Sequence, residues 1–263
     1  MGDLANKIAV VYGAGGEIGG AVARAFAREG ARLFLTGRRL APVEAVAEDI
    51  VSAGGVAESA AVDALDERAI DEHLQSVVSK AGRIDISFNA IGNSIAEDLG
   101  GSLVDMNLQQ FSAPIMGYIT SYFLTARLAA RHMLSNNSGV IMTVTAPPPR
   151  IGTPNGGYGP AQAAKEALTR YLSKELAPQG IRVIGLQPHA MPETETIREI
   201  FGSRAKDAGV TWEQFTGYLA GMNHPKRFLT LAEVANVAAF VASDKASGMM
   251  GTTVNLTMGA LDD

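Results

Sequence analysis

The sequence predicts an α/β fold: a single-domain, doubly wound parallel sheet of seven strands with helices on both faces. Three observations predict it. Short apolar runs alternate with helix-period segments along the whole chain, with no Ser/Gly/Pro linker between blocks. The first of these runs is continuously apolar, as a strand buried on both faces requires. Finally, 47% of the 263 residues are hydrophobic, enough for one large core.

Ile8 to Tyr12 (IAVVY) is the first strand, running into GAGGEIGG and a helix from Gly20 to Gly30. The closing glycine suits a left-handed C-terminal cap. RLFLTG is the second strand, followed by a helix from Ala41 to about Ala53 that is entered through Pro42. AESAAVDA holds the third strand, Glu67 to Ala81 the third helix, and IDISFNAIG a fourth strand ending in a glycine loop. Residues 93–114 read as loop with a short helical piece around Leu108. The helix from about Ile115 to Leu134 has small and aliphatic residues on more than one face, so it should be buried on two sides. GVIMTVTA is the fifth strand, and PPPRIGTPNGG is a loop too rich in proline to join a ladder. Tyr158 to Ala177 is a helix, IRVIGLQP the sixth strand, and residues 193–227 a polar helical insertion. LAEVANVAAFVAS is the last helix and TTVNLTMG the last strand, with right-handed crossovers throughout.

Composition excludes several classes of function. The formal charge of −5 is spread without a basic stripe, so no nucleic-acid partner is expected. The absence of cysteine removes disulfides, thiolate nucleophiles and Cys-ligated metals, and fits a cytoplasmic location. The first apolar run is too short to span a bilayer and carries no cleavage or myristoylation pattern, so no membrane association is expected. His73, His132 and His224 have no ligand-like spacing, and no metal site is expected.

Gly13, Gly15, Gly16 and Gly19 follow a buried strand and open a helix. That context lets backbone N–H groups and a helix N-terminus meet a pyrophosphate. The spacing is similar to the TGxxxGxG loop of the short-chain dehydrogenase/reductase family, and the likeness covers nearly the whole chain. Asp63 resembles the family's adenine-ring aspartate, NAIG (Asn89 to Gly92) its NNAG element, and Pro188 its PG turn. The resemblance implies a Rossmann-like fold and a nicotinamide cofactor held by Gly13, Gly15, Gly16, Ile18, Gly19, Arg38, Asp63, Ala64, Asn89, Ala90, Ile91 and Pro188. Tyr12 stands where the family usually has threonine, and Glu17 replaces the middle glycine. A carboxylate at a phosphate site repels unless it points away. The second strand ends in TGRR, with no acid at Gly37 to grip ribose hydroxyls and Arg38 placed for a 2′-phosphate. NADP(H) is therefore expected over NAD(H).

In this family a serine, a tyrosine and a lysine cooperate, usually with an asparagine from the preceding long helix. By position, Tyr158 is the tyrosine, Thr145 takes the serine's place, Gln162 the lysine's and Tyr118 the asparagine's. Glutamine can hydrogen-bond a ribose but supplies no charge to lower the tyrosine's pKa. Lys165 is the obvious replacement cation, and enoyl reductases of the same superfamily share the Tyr-x6-Lys spacing. On a continuous helix, however, it lies about 10.5 Å along the axis from Tyr158, and it reads as a solvated side chain. Tyr118 reads as a core aromatic or as a second phenol facing the nicotinamide. His189 reads as a loop histidine or as a spare titratable group. The resemblance implies an oxidoreductase acting on a carbonyl, imine or activated alkene. A non-redox enzyme of the halohydrin-dehalogenase kind and a non-catalytic cofactor-binding homologue are the alternatives. Ile200, Phe201, Trp212, Phe215 and Tyr218 make the insertion a candidate lid over a small apolar substrate. Relatives use the two long helices to assemble, so a homodimer or homotetramer is expected.

Overall fold

A computed structural model describes residues 2–92, 102–147 and 155–261. Its strands are β1 (Ile8–Tyr12), β2 (Arg32–Gly37), β3 (Val56–Ala61), β4 (Ile86–Asn89), β5 (Gly139–Val144), β6 (Ile181–Pro188) and β7 (Thr253–Leu256). The helices are α1 (Glu17–Arg28), α2 (Leu40–Ser52), α3 (Glu67–Ala81), α4 (Leu108–Leu134), α5 (Tyr158–Leu176), α6 (Glu195–Asp207), α7 (Trp212–Met222) and α8 (Leu231–Ala242). All seven strands pair in parallel, in the order β3-β2-β1-β4-β5-β6-β7. The order reverses between β1 and β4, which opens a crevice at the carboxyl ends of these strands.

Alternate residues of each central strand feed opposite faces. Ala9, Val11, Leu33, Leu35 and Phe88 pack with Phe26, Ile50 and Val241 of α1, α2 and α8. Val10, Tyr12, Phe34 and Ile141 pack with Leu74, Tyr122 and Leu128 of α3 and α4. No described helix is long and apolar enough to cross a membrane.

Two helix starts depart from the sequence reading. α1 starts at Glu17 rather than Gly20 because Gly19 packs against the turn it follows: a Cβ there would lie 2.3 Å from the Gly13 carbonyl oxygen. α4 starts at Leu108, seven residues before the expected Ile115, and keeps Pro114 inside it. A capping box sets that start: the Asn107 side chain accepts from the Gln110 N–H, and the Gln110 side chain accepts from the Asn107 N–H. Packing holds the proline turn, since a Cβ on Gly157 would sit 1.9 Å from the Phe111 carbonyl oxygen and 3.2 Å from Pro114 Cγ. Gly157 therefore lets the start of α5, and with it Tyr158, lie directly against α4.

The insertion resolves into α6 and α7. Phe201 is its centre, with ring centroids 6.5 Å from Trp212, 5.6 Å from Phe215 and 6.0 Å from Phe228. These rings bind the insertion together, whereas Ile200 packs with Tyr158 and Ile115 against Tyr118 and Ala161. Tyr218 is exposed. Most of the PPPRIGTPNGG loop and the start of the 93–114 stretch lie outside the described residues.

Candidate active site

The glycine loop joins β1 to α1 at the carboxyl edge of the sheet. Gly13 has φ +75°, and a Cβ there would lie 2.8 Å from the Ala90 carbonyl oxygen, so the loop is tied to the end of β4. Gly15 is held equally close by Pro42 of α2. Gly16 differs: a Cβ there would meet only the Gly13 carbonyl oxygen, at 3.3 Å. It is the N-cap of α1 and offers no side chain, and the N–H groups of residues 17–19 have no protein acceptor among the described residues. An open helix start of this kind is an anion site, and the residues present fit a pyrophosphate.

The Glu17 carboxylate is turned away from this turn. Its two oxygens accept from the Glu195 N–H at 2.9 and 3.1 Å, at the start of α6. Ile18 is half-buried behind the loop, touching the core of α8. Arg38 and Arg39, beyond β2, are exposed and engage no acid among the described residues. Asp63 is exposed after β3, its carboxylate accepting from the Leu65 N–H at 3.0 Å, and Ala64 is buried beside it. Asn89 is buried: its amide donates to Thr125 Oγ1 at 3.0 Å and its oxygen accepts from the Ile91 N–H at 3.3 Å. Ala90 and Ile91 follow, half-buried, and Pro188 closes β6. Every residue expected to hold the cofactor thus lies in or after β1, β2, β3, β4 or β6, at one edge of the sheet. Tyr12 is fully buried, and its hydroxyl has no partner among the described residues.

Tyr158 is the first residue of α5. It meets Tyr118 of α4 edge to face, with ring centroids 5.5 Å apart at 68°. Burial, and then Tyr118, push its pKa above the ordinary phenol range. No residue among those described hydrogen-bonds its hydroxyl. Thr145 follows β5 and is buried. Its N–H donates to the Leu186 carbonyl at 2.7 Å, and its hydroxyl donates to the same oxygen at 3.3 Å. Gln162 is buried one turn beyond Tyr158. His189 is half-buried, its pKa lowered by burial, and its Nδ1 has no partner among the described residues.

Lys165 is not the solvated side chain that its residue type suggests. It is 1% exposed, donates to the Val144 carbonyl, and lies 5.6 Å from the Tyr118 ring centroid and 5.8 Å from that of Tyr122. Burial lowers its pKa to about 7. The register of α5 explains the placement: Tyr158, Gln162, Lys165 and Thr169 share the stripe facing α4. That spacing was visible in the sequence. Two further contacts were not: Ile200 against the tyrosine pair, and Gln187 donating at 2.7 Å to the buried Glu166. No group of three metal-ligating side chains occurs among the described residues.

Comparison with known proteins gives the family. The family model described as Enoyl-(Acyl carrier protein) reductase matches residues 13–260. The Bacillus subtilis oxidoreductase YxbG is 29% identical, over 99% of this chain and 93% of its own. A crystal structure of NAD+-bound xylitol dehydrogenase superposes with a TM-score of 0.90 at 27% identity, covering 97% of this chain and 99% of that one. A protein from Beutenbergia cavernae named as a putative NAD(P)-dependent gluconate 5-dehydrogenase, with NADP bound at low occupancy, superposes with a TM-score of 0.84 at 26% identity, covering 98% of this chain and 97% of that one. With the family model matching residues 13–260 and related folds superposing over nearly its whole length, this chain belongs to the short-chain dehydrogenase/reductase family of oxidoreductases.

Proposed function

We propose that this protein is an NADP(H)-dependent reductase acting on the carbonyl, imine or activated alkene of a small apolar substrate. The observation that carries this reading is the pairing of two features at one sheet edge. One is the open first turn of α1 beside Gly16; the other is the Tyr158 hydroxyl, which has no partner among the described residues. Bound nicotinamide supplies or takes a hydride. Tyr158 gives its proton to the substrate oxygen or nitrogen, Thr145 orients that atom, Gln162 offers its amide to the ribose, and Tyr118 forms the wall beside the phenol. The insertion at about 193–227 is the lid of a single cofactor-binding domain, with Ile200 its apolar contact with the tyrosine pair. Glu17, which with Tyr12 speaks for a non-redox reading, turns its charge toward α6 and leaves the anion site open.

Preference for NADP(H) rests on Arg38, exposed at the end of β2 where Gly37 supplies no acid. Related structures hold NAD+ in one case and NADP in another, so this chain's own residues carry the choice. One charge-assisted contact is worth roughly 1.5–3 kcal/mol, so NADPH should bind about ten- to a hundredfold more tightly than NADH. Titrating the purified protein with each cofactor tests this. Arg38→Ala should erase most of the preference, and equal affinities in the unaltered protein would refute it.

A further inference from the structure

A buried amine without an acid partner is costly. Lys165 nevertheless occupies a box built to hold an ammonium group. The faces of Tyr118 and Tyr122 lie 5.6 and 5.8 Å away, within the range of cation–π attraction, and the Val144 carbonyl takes one N–H. The box is braced: Thr169 Oγ1 donates to the Lys165 carbonyl at 2.9 Å and lies 3.0 Å from the Tyr122 hydroxyl. Val144 directly precedes Thr145, and Tyr118 touches Tyr158, so the amine borders two of the residues assigned to the reaction. The two ring separations put it within about 11 Å of the Tyr158 ring.

We propose that Lys165 is a positioning residue of this site: its ammonium group, acting across the Tyr118 ring, stabilises the negative charge that Tyr158 acquires on giving up its proton. The inference rests on the reductase reading above and supplies the cation that Gln162 lacks. At such a separation in poorly solvated surroundings, one charge is worth on the order of tenfold in the acid strength of a phenol. The titratable groups facing the amine are Tyr118 and Tyr122 from α4. On its own helix the neighbours are Tyr158 and Glu166, the latter tied to Gln187 of β6. Burial alone lowers the amine's pKa, and no carboxylate among the described residues opposes that shift. The cation is therefore present at acid pH and lost as the pH rises through the folded-state value, about 7. Tyr158 is then left without its support.

The test uses the whole protein with NADPH and phenanthrenequinone, an apolar dicarbonyl probe, and follows kcat against pH. The unaltered protein should slow as the pH rises through neutrality. Lys165→Met removes both charge and donor; Lys165→Gln removes the charge but keeps an N–H for Val144. Both should be about tenfold slower than the unaltered protein near pH 6 and equal to it near pH 9, which flattens the profile. In parallel, ε-13C-lysine NMR should show one resonance, absent from Lys165→Met, that titrates with the kinetic limb. A resonance titrating with the solvated lysines would overturn the proposal. So would a Gln variant with the unaltered profile, since the hydrogen bond alone would then suffice, or a pH-independent rate loss in both variants. Failure of every form to bind NADPH or reduce the probe would instead overturn the reductase reading, and the inference with it.

Discussion

Glu17 caps a helix 178 positions away in the chain, and removing it should loosen the start of that helix. α6 begins after Thr194, whose hydroxyl donates to the Met191 carbonyl at 2.8 Å and makes no cap bond to its own helix. The Glu17 carboxylate instead receives the Glu195 N–H, through contacts of 2.9 and 3.1 Å, and adds negative charge at the positive end of the helix dipole. Replacing an N-terminal cap costs about 0.5–2 kcal/mol. A value near 1 kcal/mol corresponds to roughly a fivefold rise in the open population of α6. Hydrogen–deuterium exchange followed by mass spectrometry reads this directly. In Glu17→Ala, peptides from the first turns of α6 should exchange about fivefold faster, while those of α8, capped by its own Thr230 and Glu233, should not change. Glu17→Gln, which keeps an acceptor, should fall between. Unchanged exchange in α6 for Glu17→Ala would show that the contact carries no stability and that the insertion is held by Phe201 and its neighbours alone.

Two further outcomes follow from the same geometry. Tyr158→Phe should lower turnover of any accepted substrate by about two to four orders of magnitude while leaving NADPH affinity unchanged, as steady-state kinetics and cofactor titration would show; intact turnover would remove the phenol from the mechanism. Met116 and Phe123 on α4 and Tyr171 on α5 are 60%, 40% and 78% exposed. A symmetric homodimer or homotetramer built on these helices would cover them, so sedimentation at micromolar concentration should show an oligomer that Tyr171→Glu weakens; a monomer would refute it.

The sequence made the sheet legible because buried parallel strands leave few alternatives. IAVVY, RLFLTG and IRVIGLQP can hardly be anything else, and β1, β2 and β6 keep those bounds. The third helix was equally plain, with Asp66 capping one end and Gly82 closing the other at φ +82°. The start of α4 was not, because Pro114 reads as a boundary when the chain is considered alone. The capping box at Asn107 and the close approach of Gly157 outweigh it, and only the second needs the tertiary structure. Glu17 misled for a similar reason. Sequence puts its charge at the phosphate turn, but its partner belongs to a helix that only the folded chain brings near. With Lys165 the spacing was available and the residue type overrode it, since lysines are rarely buried without a partner.

That exception connects two of the departures expected from the sequence, Gln162 at the lysine's place and Tyr118 at the asparagine's. A cation moved three positions along a helix keeps its face and shifts about 4.5 Å along the axis. On the proposed reading it leaves the ribose side of the site and arrives beside position 118. An asparagine there would offer no face to an ammonium group; Tyr118 does, and Tyr122, one turn on, supplies the second wall. The amine can be buried because the rings are present, and the rings can polarise Tyr158 only if the amine is charged. On the proposed reading, Gln162, Tyr118 and Lys165 are one linked rearrangement rather than two separate losses. They should then behave non-additively, as groups in direct contact do. A lysine restored at 162 would stand one turn from Lys165 on the same face, where each ammonium group would disfavour protonation of the other. Restoring the family's usual residue at that single position would therefore set two cations in competition for one site. The arrangement in this chain leaves room for one, held against Tyr118 and Tyr122.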